Sequence, residues 1–266
     1  MKHRTALHFA LLFWLLGSPT LGSDPIAESV GPEDRSQIPK LIKQLSNDNI
    51  PKNDFLSNET YGGIAMRKLV GIGIEAVPAL TRAAETIDKT SRWRAVQGLK
   101  RIGPPARTAL PVLIRNLKTD LWSLRSEITD SLAKIDQEGT TAIPALKMML
   151  LDENAYVRKS AAAGLRSYPT HAKTVVPALI AALKDKSPGV RAAAILSLGR
   201  IGTPATRIVP ALLPLLKDRS SYTEVGHDVV WSGAVVDLVA TVLSQFKDQS
   251  QIIVPAQFEA LINQPE

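Results

Sequence analysis

The chain has 266 residues, 45% of them hydrophobic and 21% charged, with a formal charge of +7 and no cysteine. This composition excludes a disordered chain and allows one large folded domain or two small ones. The lack of cysteine excludes disulfide staples, thiol catalysis and a lipid-modified N-terminal cysteine.

In chain order, the first element is a leader. The basic start MKHR precedes a 12-residue apolar run, ALHFALLFWLLG, and then the small-residue stretch SPTLGS. This is the pattern of a secretory signal peptide, and the run is short for a membrane span. Residues 1–22 are read as the signal peptide, 23–36 as a linker and 37–266 as the folded region. Every later apolar stretch is interrupted by Lys, Arg, Asp or Pro, so no transmembrane segment is expected after the leader is removed. The expected location is the periplasm or the cell exterior. Loss of Lys2 and Arg4 takes the formal charge to about +5, a mild basicity that suits an acidic partner without identifying one.

The folded region is periodic. Pro78, Pro111, Pro144, Pro177 and Pro210 follow one another at intervals of 33 residues. The residue before each proline is apolar: Val77, Leu110, Ile143, Val176 and Val209. Leu80, Leu113, Leu146, Leu179 and Leu212 come two after it, and Ala84, Leu117, Leu150, Leu183 and Leu216 six after it. That spacing is a helical stripe, with proline placed where a first turn tolerates it or a bend follows. A polar break leads to a second stripe. It starts at Leu124, Val157 and Val190 and runs through Ile128, Ala161 and Ala194 to Leu132, Leu165 and Leu198. Gly98, Ser131, Gly164 and Ser197 are small residues that let neighbouring helices approach, and the RIG glycines, Gly103 and Gly202, suit left-handed helix caps. Each unit is a helical hairpin with too little core to stand alone, so the hairpins must stack.

Asp152, Val157 and Arg158 stand eight, thirteen and fourteen residues after Pro144, as Asp185, Val190 and Arg191 do after Pro177. In this pattern the chain resembles the HEAT repeat, in its short bacterial form, over about residues 37–264. The resemblance implies an all-α, right-handed α-solenoid of about six helical hairpins with a terminal capping helix, placed here at Pro255–Ile262. It also implies that Asp152, Arg158, Asp185 and Arg191 form a structural ladder between successive loops. Asp is replaced by Thr86 and Thr119 in the earlier units, where Arg92 and Arg125 keep the basic position.

Two groups are candidate binding residues. Lys100, Arg101, Lys134, Arg166 and Arg200 lie twenty-two or twenty-three places after successive prolines. They fall near the ends of second helices, which in HEAT solenoids tend to line the concave face. The row either complements helix dipoles or forms a groove for an acidic partner. The second group, Tyr222, Glu224, His227 and Trp231, lies in the insertion Arg219–Gly233, which, with Ser46–Thr60, interrupts a terminal unit. Such insertions commonly map to a binding face, with Phe55 a further anchor, although burial as a cap competes. Glu224 and His227 have the Glu-x-x-His spacing that puts two ligands on one helical face, but the motif occurs once, so no metal is expected. Trp93 and Trp122, near helix starts, are core or rim. His171 is a loop residue. GIGIEA, Gly71–Ala76, copies a dinucleotide fingerprint without the preceding strand.

No catalytic constellation and no cofactor motif stands out. The expected function is that of an exported, non-catalytic scaffold or adaptor for protein–protein interaction. One alternative is a nucleic-acid-binding protein similar to HEAT-like DNA-repair proteins, using the basic groove; export and the sparse charge count against it. The other is a structural component of the cell envelope.

Overall fold

The computed structural model describes residues 35–50, 59–225 and 230–246, with the backbone alone at 224–225 and 230–231. The leader, Phe55, His227 and the expected capping helix at Pro255–Ile262 lie outside these residues.

The helices come in pairs, as the double stripe requires. They are α1 (Ile38–Gln44) with α2 (Tyr61–Ile72), α3 (Val77–Ala83) with α4 (Lys89–Ile102), and α5 (Leu110–Asn116) with α6 (Trp122–Ile135). Next come α7 (Ala142–Met149) and α8 (Ala155–Leu165), and then the pairs α9 (Ala172–Ala182) with α10 (Pro188–Ile201) and α11 (Ala205–Leu212) with α12 (Val235–Ser244). The chain divides into two compact units, with the boundary after Leu146, inside α7. In the first unit α4 packs on both α2 and α6, while α3 and α5 lie against their own partners. In the second, α10 packs on both α8 and α12, with α9 layered against it. Among the described residues no helix is long and apolar enough to cross a membrane.

Burial follows the stripes. The residue before each periodic proline and the leucine two after it are at most 4% exposed, whereas the prolines themselves face solvent. Leu150 and Leu216 are only half-buried, unlike Ala84, Leu117 and Leu183 at the same place in their repeats. Pro78 and Pro111 sit in the first turns of α3 and α5, each entered from a 3-10 turn, where a missing N–H leaves no helix bond broken. Pro177 and Pro210 instead lie inside α9 and α11.

Gly202 ends α10 in the left-handed region, at φ 69° and ψ −19°. Gly103 ends α4 at φ 73° and ψ −138°, a different region that is still essentially reserved for glycine. Close approach also uses small residues. Ser197 on α10 donates its hydroxyl to the Ala162 carbonyl of α8 at 2.8 Å. Gly199 lies against α12, where an added Cβ would come within 2.8 Å of Val242 Cγ1.

The second insertion departs from the all-α expectation. It folds as an antiparallel hairpin, β1 (Ser221–Val225) with β2 (Val230–Ala234), in register from Ser221 opposite Ala234 to Val225 opposite Val230. The β-branched and aromatic residues of SYTEV and VWSGA favour strands, and Val235 N–H donating to Ser220 O closes the ladder before α12 starts.

Candidate functional site

The polar side chains at the joints between hairpins are set by the helix starts. Arg125, Arg158 and Arg191 each lie in the first turn of a second helix and point back to their own loop. Each donates from Nη1 to the carbonyl six residues earlier: Thr119 O at 2.8 Å, Asp152 O at 2.9 Å and Asp185 O at 2.7 Å. In the second unit the rest of the fork reaches the next loop. Arg158 donates from Nε and Nη2 to the two carboxylate oxygens of Asp185, at 2.7 and 2.9 Å. Arg191 donates from Nε to Asp218 Oδ2 at 2.7 Å and from Nη2 to Ser220 Oγ at 3.0 Å. The carboxylates are preorganised by their own turns, since Asp185 accepts from Ser187 N–H at 2.8 Å and Asp218 from Ser220 N–H at 3.0 Å. Burial pushes both carboxyls up in pKa. The arginine hydrogen bonds, the serine contacts and the guanidinium charges outweigh it and leave both below the usual carboxylate range.

In the first unit the Asp positions are Thr86 and Thr119, and other groups take over. Asn116 donates from Nδ2 to Ala84 O at 2.8 Å, and Arg115 pairs with Glu85 at 2.7 Å on the surface. Arg92, in the ladder position, comes no closer than 3.5 Å to Asn116 Oδ1, and its buried Nε has no partner among the described residues. Arg94, which the periodicity does not mark, is buried and donates to Leu45 O at 2.5 Å, Asp48 Oδ1 at 2.6 Å and Thr60 Oγ1 at 2.9 Å. This ties α4 to both ends of the first insertion. Gly62 makes the contact possible, because any Cβ there would collide with the guanidinium. Asp136, fully buried at the end of α6, accepts from Thr141 and Ala142 N–H at 2.7 and 2.8 Å and so starts α7.

The family model of HEAT repeats matches residues 77–166 and 152–225, more than half of the chain. This chain belongs to the HEAT-repeat family.

Solved structures place the HEAT chain among repeat folds built of stacked helical pairs. It is similar to a chain of the CpcE–CpcF complex of phycocyanin lyase from Nostoc sp., at 24% identity and a TM-score of 0.53, covering 62% of this chain and 99% of that one. A designed armadillo repeat protein in complex with the peptide (KR)4 gives 17% identity and a TM-score of 0.51, covering 79% and 99%. Kap95p, from a study of its binding to RanGDP, gives 12% identity and a TM-score of 0.58, covering 98% of this chain and 36% of that one. These likenesses are of fold alone. No curated protein matches the chain in sequence.

The basic row of the HEAT chain is unevenly placed. Lys100 is held by Glu127, Nζ to Oε1 at 2.9 Å, so it serves the joint between α4 and α6. Arg101 and Lys134 are exposed in the first unit, with Arg101 Nη1 3.9 Å from Met66 Sδ. Arg166 is half-buried and Arg200 exposed in the second. Of the insertion residues, Tyr222 is 8% exposed and lies along Gly233, so it is part of the packing and not a free anchor. Glu224 stands in β1 opposite Trp231 in β2; a strand, not a helix, carries it, which removes the helical face assumed for Glu-x-x-His. Among the described residues no group of three or more His, Asp and Glu side chains is placed to hold a metal. Trp93 and Trp122 are 40% and 44% exposed, hence rim. His171 is an exposed turn residue beside Thr170, and GIGIEA closes α2 and enters a 3-10 turn.

Proposed function

We propose that the chain is an exported, non-catalytic HEAT scaffold that binds a protein partner through the surface of its stacked hairpins. One observation carries this reading. The buried polar groups at the joints are spent on holding repeats in register, above all the Arg158–Asp185 and Arg191–Asp218 forks. What these forks leave for other molecules, among the described residues, is the exposed surface of the hairpins. The fold is also that of a designed armadillo repeat protein in complex with a peptide and of a chain of the CpcE–CpcF complex of phycocyanin lyase, which supports a role in binding. Export rests on the MKHR-apolar-SPTLGS leader.

The test is capture of partners on immobilised mature chain beginning at Ser23, from envelope and secreted extracts, followed by rebinding of the purified captured protein. Two variants, one with Arg101 and Lys134 changed to Glu in the first unit and one with Arg166 and Arg200 changed to Glu in the second, test the basic row in each unit by itself; Lys100 is left intact to preserve its pair with Glu127. A protein that rebinds the wild type supports the scaffold. Nucleic acid alone, or no rebinding, sinks it. N-terminal sequencing of the secreted product tests the leader, and an intact Met1 in the cytoplasm would overturn export.

A further inference from the structure

The loops after α9 and after α11 repeat one turn. Leu183–Ser187 reads LKDKS and Leu216–Ser220 reads LKDRS, thirty-three residues apart. In each, the central carboxylate faces inward, accepting the N–H of the serine two residues on and the Nε of the arginine one repeat back. The residues on either side of it, Lys184 and Lys186 in one loop and Lys217 and Arg219 in the other, are exposed. None of these four cations makes an ion pair among the described residues. The loops are neighbours, because a single side chain touches both: Arg191 donates to Asp185 O and to Asp218 Oδ2.

The charge consequence follows. Arg158 cancels Asp185 and Arg191 cancels Asp218, so each loop contributes two uncompensated positive charges, and the two loops together form a cluster of four. The ladder thus offsets the carboxylates that would otherwise balance their flanking cations, although Asp185 still feels the charge of Lys186. Surface lysines alone would be ordinary solvation; here the same turn, repeated, holds the pairs side by side.

We propose that this edge binds a carboxylate-rich, extended segment of the protein partner; the inference rests on the protein-binding reading above and names the chemistry of the partner. Stacked repeats are separated by roughly one helix diameter, about 8–10 Å. An extended peptide covers that in about three residues. A run of Asp and Glu therefore meets each cation pair in whatever register it lies. Nucleic acid is disfavoured because neither loop carries an aromatic side chain on which a base could stack.

The test is fluorescence anisotropy of a dye-labelled Asp/Glu-rich peptide against the full chain, at about 0.05 and 0.3 M salt. Binding is expected at low salt, weakened at high salt. A variant with Lys184→Gln, Lys186→Gln, Lys217→Gln and Arg219→Gln should bind roughly tenfold more weakly, since four exposed ion pairs are lost at once. Lys68→Gln, an exposed change on α2, should bind as wild type does. The two double variants, one per loop, are measured beside the quadruple one with circular dichroism as the check of folding. Peptide binding that the loop variants leave unchanged, or no peptide binding at low salt, overturns the proposal. So does tighter binding of a dT oligonucleotide or of anionic phospholipid vesicles than of the peptide. If a purified partner binds the quadruple variant as well as wild type, the scaffold reading survives and this edge does not.

Discussion

The joint between the α3–α4 and α5–α6 hairpins and the joints that follow α8 and α10 solve one problem with different chemistry. Upstream, an amide to a carbonyl, Asn116 to Ala84, and a solvent-exposed pair, Arg115 with Glu85, set the register. Downstream, an arginine no more than 12% exposed inserts between two loops and satisfies both. The difference shows that register needs only some fixed polar contact at each loop. A buried fork makes the contact interdependent, because removing either partner strands a charge, whereas the upstream contacts fail singly and mildly.

The largest expected effect is that of Arg158→Ala, which leaves Asp185 without its guanidinium. We expect a loss of about 3 kcal/mol, toward the lower end for a buried pair broken from one side. Native-state hydrogen exchange should place that loss in the second unit; a uniform change, or none, would mean the fork is not what holds the joint. Next comes Gly199→Ala, where the added methyl meets Val242 and should cost about 2 kcal/mol by overpacking. Denaturant titration measures it, and an unperturbed midpoint would show that α12 is free to shift.

Acid tests the two kinds of joint differently. Asp185 and Asp218 have folded pKa values below the unfolded carboxylate value of about 3.9, so their stabilisation is present at neutral pH. It is lost as pH falls from about 4 through the folded values. Exchange protection of α9 and α10 should fall over that window more than that of the Asn116 contact, which has no proton to gain. Equal loss in both would break the comparison.

Two smaller effects sharpen it. Thr119→Asp supplies the carboxylate that the upstream joint lacks: Thr119 Oγ1 already accepts from Leu121 N–H at 3.4 Å, the turn used by Asp185, and Arg92 Nε stands without a partner among the described residues. It should add about 1 kcal/mol in a thermal melt, and a destabilised protein would show that Arg92 cannot reach the new group. Arg115→Ala should change stability by no more than about 0.5 kcal/mol, since both partners of its ion pair are well exposed.

Several of these features are readable from residue spacing. The 33-residue interval of proline, the apolar stripes and the Asp and Arg at fixed offsets repeat because the joint geometry repeats. Gly103 and Gly202 are readable because only glycine accepts their φ. Arg94 is not, since one of its partners is a main-chain carbonyl, which no residue type signals, and all lie 34 to 49 residues away. The pairing of Lys100 with Glu127 was equally hidden within an apparent basic row. The strands of the insertion had a local signal in their β-branched and aromatic residues but no second copy to compare.

The sequence by itself determined that this chain folds as paired helices, which faces they bury and how often the pattern returns, because those follow from local periodicity and the cost of exposing apolar surface. Only the tertiary structure decided which charges are consumed at the joints and which remain outside. That choice depends on distances between residues far apart in the chain, and two lysines beside an aspartate read the same whether or not an arginine one repeat back has already neutralised it.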